Sequence, residues 1–339
     1  SVSAALAAAL SMGALFTAWV RKRAPPRLYY TNTDANIRLL LAMPLLWRTY
    51  VPNVFCWNAH LASLFGYMRL RPIASKPALT ERILLSDGGT VSLEWGRTAA
   101  DGEPVLLLLP GINNHAAMPY IRHVMGVIMA EGLGAPAALN WRGLGGLALT
   151  AVSGTPKPYC ALAGEDVEQV VSHLSRRLPS CPIYAVGYSM GGGLLVRHLG
   201  ESGAACRLRA AMAVSPALDL AAVYAHMGSS LQGRAYALLS SLGLWGYFMK
   251  HRHALRGGPV GALDALRAAV FGGYEGRVFM PLWGLEGGCA EYHERASGAC
   301  VVSSVRRPLL VLHSEDDPIV PLHTVPVESM SRNPFVVCA

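Results

Sequence analysis

From position 81 onward the apolar residues fall into short blocks separated by glycine, proline and charged residues. Glu81 to Leu85 and Thr90 to Trp95 flank Asp87-Gly88-Gly89, a pattern that predicts two strands around a glycine turn and an antiparallel edge. Val105 to Leu109 is then continuously apolar and stops at Pro110-Gly111; Ala137 to Trp141 stops at Arg142-Gly143. Uninterrupted runs of this kind predict strands buried on both faces, as in a parallel sheet covered by helices. Between Asp166 and Leu178, the positions Val167, Val170, Val171, Leu174 and Leu178 recur at helical spacing and predict one apolar face. Further strands are predicted at Pro182 to Val186, Ala210 to Val214, Pro308 to Leu312 and Pro334 to Cys338, with a helix at Met190 to Leu199. Alternation of strand and helix places the chain in the α/β class, with a mostly parallel sheet.

Two stretches depart from this rhythm. Leu220 to about Cys300 is rich in glycine and carries aromatics from Tyr224 to Trp283, which predicts a helical cap inserted into the sheet order. At the other end, residues 1–20 hold no charge, and Arg21, Lys22, Arg23 and Arg27 follow. About 20 apolar residues span a hydrocarbon core, so the pattern predicts a single N-terminal membrane anchor with a basic flank. A removed targeting peptide, or a soluble core helix, fits the same residues. Ile37 to Arg71 is too apolar for a linker and too irregular for one helix; it is expected to wrap the core. The resulting division is 1–20 anchor or targeting segment, 21–76 basic flank and wrapping segment, 77–219 first part of the core, 220–300 cap, and 301–339 second part of the core.

Composition narrows the function classes. Over 339 residues, hydrophobic types make up 52% and charged types 15%, enough to bury a large core and to argue against general disorder. The net charge of +8 comes without zinc-finger spacing, an RNA-binding signature or a basic helix, so nucleic acid is not an expected partner. Seven cysteines form no CxxC pair and are read as buried free thiols. The histidines show no HExxH spacing, and neither a metal nor a cofactor is expected.

Gly187-Tyr188-Ser189-Met190-Gly191 matches the G-x-S-x-G nucleophile elbow, and it stands where a predicted strand meets a predicted helix. There a sharp turn would lift the Ser189 hydroxyl above the sheet, with Gly187 and Gly191 allowing close backbone approach. The Met190 amide, at the helix N-terminus, is one candidate oxyanion donor. The second is expected in Pro110-Gly111-Ile112-Asn113-Asn114, with Ile112 the chosen donor and the two asparagines fixing the loop. An acid belongs after a late strand, where Asp316-Asp317-Pro318 follows Leu312. Asp317 is the chosen acid; Asp316 is the alternative and is expected to hold the loop. His323, the one histidine after Asp317, lies too near it in sequence for the usual base and is read as starting the next helix.

With these parts assembled, the chain resembles the AB hydrolase superfamily, family four, from about Trp47 to the C-terminus. That group includes alpha/beta-hydrolase domain proteins one to three, plant embryogenesis-associated relatives, and the yeast medium-chain fatty acid ethyl ester synthase/esterases. Supporting stretches are Trp57-Asn58-Ala59-His60-Leu61, Leu109-Pro110-Gly111, Asn140-Trp141-Arg142-Gly143, Glu165-Asp166, the elbow, Ser215-Pro216-Ala217-Leu218-Asp219-Leu220, Glu291-Tyr292-His293 and Asp316-Asp317-Pro318. The resemblance implies an α/β-hydrolase fold and a membrane-associated serine hydrolase of lipid carboxylic esters, with Ser189 as nucleophile and Asp317 as acid. It also implies a histidine after a Gly-Gly pair beyond the last strand, and this sequence ends first. Hence two readings arise: an esterase whose C-terminal end is truncated here, or a catalytically inactive protein of the same fold that binds lipid or a protein partner. Truncation within the last strand would leave an exposed sheet edge and remove a covering helix.

Overall fold

A computed structural model describes residues 25–51, 58–63 and 76–339. Among them nine strands form one sheet in the order β1-β9-β8-β7-β6-β4-β5-β3-β2. The strands are β1 (Tyr29–Tyr30), β2 (Leu79–Leu84), β3 (Thr90–Trp95), β4 (Val105–Leu109), β5 (Ala135–Asn140), β6 (Ile183–Tyr188), β7 (Leu208–Val214), β8 (Leu309–Leu312) and β9 (Val336–Cys338). From β5 through β4, β6, β7, β8 to β9 the pairing is parallel; β2, β3 and β1 join antiparallel. The central runs are apolar because helices cover both of their faces: Val105, Leu107, Leu108 and Leu109 are all fully buried. This architecture is an α/β-hydrolase fold.

The helices follow the same logic. In chain order they include α1 (Asp34–Leu41), α2 (Pro119–Ala130), α3 (Gly164–Arg177) and α4 (Met190–Ser202). Between β7 and β8 come α5 (Leu220–Ser229), α6 (Leu231–Lys250), α7 (Ala262–Phe271) and α8 (Cys289–Ala296). In α3 the stripe Val167, Val170, Val171 and Leu174 is buried, as its spacing requires. Asp219 caps α5 by accepting from the Ala222 amide at 2.9 Å, and Ser230 caps α6 by accepting from the Gly233 amide at 3.0 Å. Along α6 Leu244, Tyr247 and Phe248 are buried while Leu231, Leu238, Leu239 and Leu242 are exposed, so no single apolar stripe marks it in the sequence.

Several expectations change. β9 is not an exposed edge, since β1 lies antiparallel against it and pairs Tyr29 with Cys338. Nor is that end of the sheet bare: Leu40 of α1 packs with Leu310 and Val337, so part of the N-terminal wrapping segment covers it. His323 does not begin a helix; it sits in a 3-10 turn, Leu322–Thr324, ahead of the short helix Val327–Ser331. Cys160, Cys181, Cys206 and Cys338 are buried free thiols, whereas Cys289 is half-buried and Cys300 is exposed. The expected anchor and Cys56 lie outside the described residues, and no helix among the described residues is long and apolar enough to cross a membrane.

Buried polar groups tie the layers together. Arg142, only 3% exposed, donates to both carboxylate oxygens of the fully buried Asp166 at 2.7 Å and to Asp87 Oδ2 at 2.7 Å. The joint between core and cap is equally specific. Tyr247 of α6 donates its hydroxyl to the Arg142 carbonyl at 2.9 Å, and neutral His251 donates from Nε2 to the Gly143 carbonyl at 2.7 Å. Burial lowers the His251 pKa below its ordinary value of 6.5, although the Gly143 carbonyl pulls the other way. The unfolded chain therefore takes up this proton first as pH falls, so the stabilisation is complete above the unfolded value and is lost on acidification. Urea unfolding should give a lower free energy at pH 5 than at pH 7.5, and His251→Gln should flatten part of that slope. An unchanged slope in the variant would show that His251 titrates as freely folded as unfolded.

Candidate active site

Four strand ends build the site at one edge of the sheet. β6 ends at Tyr188, and Ser189 follows with φ of 50° and ψ of −118°, a backbone that non-glycine residues seldom adopt. The bend is pinned from three sides. The Ser189 amide donates to the Val214 carbonyl of β7 at 2.9 Å, and its own carbonyl accepts from Gly193 at 3.0 Å and Ala217 at 3.3 Å. Such a conformation costs on the order of 1–3 kcal/mol and persists only when its surroundings over-determine it. Helix α4 begins at the next residue, so the Met190 amide has no acceptor within the helix.

Both flanking glycines are sterically required. A Cβ on Gly187 would stand 2.6 Å from the Gly191 carbonyl oxygen, and one on Gly191 would stand 2.4 Å from the carbonyl oxygens of both Leu109 and Pro110. The second contact joins the elbow to the loop after β4. In that loop Gly111 is so close that its added Cβ would lie 3.3 Å from the Ser189 Cβ. Ile112 follows, half-buried against the core, with its amide in the segment beside the serine.

Side chains from two other elements set this loop. Tyr120 of α2 accepts the Gly111 amide proton on its hydroxyl oxygen at 3.1 Å, and Trp141 donates its indole N–H to the Pro110 carbonyl at 3.0 Å. The Tyr120 ring meets Tyr188 edge-on at 5.1 Å between centroids, placing it against the elbow as well. Burial pushes its pKa up to about 12, so the hydroxyl stays neutral. Asn113, with φ of 54°, donates from Nδ2 to the Gly243 carbonyl of α6 at 3.3 Å. That bond ties the loop to the cap, in keeping with the loop-fixing role expected of Asn113. Tyr120 stands in no motif of the sequence, and Trp141 appears there only within the Asn140-Trp141-Arg142-Gly143 stretch, because each reaches the loop from a different element.

The acid candidates lie after β8, one strand beyond β7 from the elbow and at the same edge of the sheet. Asp317, half-buried, accepts the amides of Ile319 and Val320 on Oδ1, both at 2.9 Å. Asp316 is exposed and accepts from the Ser314 hydroxyl at 2.7 Å. Both aspartates thus bond within the loop, Asp316 through the Ser314 hydroxyl and Asp317 through two backbone amides. Both aspartates line a cavity of about 310 Å³ together with His60 and His226. His226 comes from α5, in the cap, and meets the exposed His323 ring edge-on at 5.2 Å. Only the fold brings His226 to these aspartates. Among the described residues no cluster of histidine, cysteine or carboxylate side chains has the arrangement to hold a metal ion.

A strained serine at a strand-to-helix turn, facing a second loop across the end of a mostly parallel sheet, defines the class as an α/β-hydrolase. No family model matches the chain. Human Phospholipase ABHD3 is 32% identical over 308 residues, covering 86% of this chain and 71% of that protein. Monoacylglycerol lipase ABHD2 of Danio rerio is 26% identical over 335 residues, 93% of this chain and 76% of the other. Embryogenesis-associated protein EMB8 of Picea glauca is 28% identical over 310 residues, 87% of this chain and 66% of the other. A solved structure of the Pyrococcus furiosus esterase Pf2001 aligns with a TM-score of 0.49 at 17% identity, over 77% of this chain and 79% of that one, an overlap too loose to carry an argument. The chain belongs to the α/β-hydrolase family of ABHD proteins, and its class is that of a hydrolase.

Tyr120→Phe removes the acceptor of the Gly111 amide and leaves a buried N–H without its partner, a change worth about 1–3 kcal/mol. Circular dichroism should report a folded variant with a lower melting temperature. Ester turnover should fall about tenfold in kcat with little change in KM, the signature of an interaction used in the transition state. Unchanged kcat would mean that the loop does not depend on Tyr120.

Proposed function

We propose that this protein is a serine hydrolase of lipid carboxylic esters that works through an acyl-enzyme on Ser189. The observation that carries the reading is the bend at Ser189, which holds the hydroxyl at a helix N-terminus against the loop of Gly111 and Ile112. In this mechanism Ser189 Oγ attacks the acyl carbonyl and gives up its proton to a base. The amides of Met190 and Ile112 stabilise the oxyanion, and the alcohol leaves carrying the proton back. Water then attacks the acyl-enzyme by the same route, releasing the carboxylic acid and restoring Ser189. The base is a histidine, which the family pattern places beyond β9; no described residue holds that position. Asp317 is the acid that would orient it, because Oδ1 is locked by two backbone amides while the carboxylate faces a cavity.

The lipid character of the substrate is supported by the relatives, whose names include phospholipase and monoacylglycerol lipase. An N-terminal segment free of charge over residues 1–20, followed by a basic flank, supports action at a membrane. Of the cap aromatics, Tyr247, Phe248, Tyr274, Phe279 and Tyr292 are buried in packing, which leaves the half-buried Tyr224, Tyr236, Trp245 and Trp283 and the exposed Phe271 as candidates for meeting an acyl chain.

Fluorophosphonate labelling of the full-length protein should disappear in Ser189→Ala, and ester turnover should fall at least about 10³-fold. Equal labelling of variant and parent rejects Ser189 as nucleophile. Asp317→Asn should lose roughly 10³- to 10⁴-fold in kcat, while Asp316→Asn should stay within about threefold of the parent. The reverse order of losses would make Asp316 the acid.

A further inference from the structure

At the edge of the sheet opposite Ser189 lies a cavity of about 400 Å³ that the ester chemistry does not use. Its walls come from the end of α3, the lead-in to β6, and the strands entering beside it. Three arginines line it: Arg207, Arg209 and Arg307. Arg207 immediately precedes β7 and Arg209 is its second residue, at the point where the register with β6 shifts; both side chains are exposed. The parallel register of β7 and β8 begins at Ala211 and Leu309, so Arg209 and Arg307 each lie two residues ahead of that pair on adjoining segments. Adjoining strands are about 4.8 Å apart, which brings these cationic side chains together.

This cluster is arranged and lacks counter-charge. Arg307 donates from Nε to the Cys206 carbonyl at 2.9 Å and from Nη2 to the Ala204 carbonyl at 3.1 Å, so its guanidinium plane is held in place. Among the described residues none of the three arginines forms an ion pair, and no carboxylate lines the cavity. Asp101 accepts a hydrogen bond from the Ser180 hydroxyl, a residue of the lining. Three like charges around one hollow repel one another unless an anion occupies it. Arginine in this setting offers paired N–H groups that match the oxygens of phosphate.

We propose that this cavity is a second ligand site that binds a soluble anion carrying a phosphate group. The anion site itself stands apart from the esterase reading; only the choice of a soluble source rests on it. A lipid headgroup offers the same phosphate chemistry. However, β6 runs six residues from this edge to Ser189, about 20 Å at the usual rise of a strand. A protein that presents the Ser189 edge to a bilayer turns this edge toward water.

Isothermal titration of the full chain with inorganic phosphate and with glycerol 3-phosphate, at ionic strength matched with chloride, tests the site. Saturable binding at one site is expected, weakened at least about tenfold in Arg207→Gln and in Arg209→Gln, each of which removes one charge-assisted contact. Both side chains are exposed, so neither change disturbs the core. Arg306→Gln, outside the cavity lining, should bind as the parent does. Each variant should keep its fluorophosphonate labelling, which separates failure of this site from failure of the Ser189 reading. Signals that do not saturate, or that are the same in parent and variants, overturn the proposal. A flat phosphate titration, combined with capture on phosphatidic acid vesicles over phosphatidylcholine vesicles that the two variants lose, overturns the soluble ligand in favour of a membrane contact.

Discussion

The strained turn at position 189 is the constraint around which the rest of the structure is organised. A serine there holds a backbone that strands and helices both avoid, so it has to be kept in place by neighbours that gain more than the turn loses. Those neighbours are the Val214 carbonyl on β7, the first turn of α4, and the Ala217 amide beyond β7. Because backbone from β4 also crowds the turn, neither Gly187 nor Gly191 has room for a side chain. One conformational demand thus sets the spacing of three strands and a helix, and it leaves one hydroxyl beside one loop.

Polar groups buried between the layers make that arrangement specific. Asn140, at the end of β5, accepts the Ala116 amide at 2.8 Å and donates to Ser92 at 3.1 Å and Glu94 at 2.9 Å on β3. Glu94 in turn is paired with Arg122 of α2, the same helix that carries Tyr120 to the Gly111 amide. The position of the Gly111 loop is therefore linked to a network that crosses the sheet, and burial makes each of its bonds costly to leave unmade. The Arg142, Asp166 and Asp87 group plays the matching part on the other side, and the carbonyls of Arg142 and Gly143 receive the cap.

The cap and the N-terminal segment complete the enclosure without contributing to the sheet's central order. Asn113 reaches from the loop to Gly243 on α6, so loop and cap are joined beside the serine. At the far end of the sheet, β1 and α1 cover β9 and its neighbour β8, which converts an apparent edge into a paired strand. Part of the positive charge also gathers in one place, since Arg207, Arg209 and Arg307 line one cavity at the edge of the sheet away from Ser189.

The local pattern of residues was enough to determine the class of fold, the central strands, the apolar face of α3 and the serine turn. Each is a short-range matter: a buried strand needs an unbroken apolar run, and a tight bend needs small residues at fixed offsets. Tertiary structure alone decided that Tyr120 and Trp141 set the loop, that His226 lines one cavity with Asp316 and Asp317, and that β1 pairs with β9. It also divided the work between the two aspartates, since Asp317 is distinguished from its neighbour by the amides of Ile319 and Val320 closing around it. Those contacts join residues far apart in the chain, or depend on how a loop folds back on itself, and their energies come from burial and hydrogen bonding that no window of sequence contains.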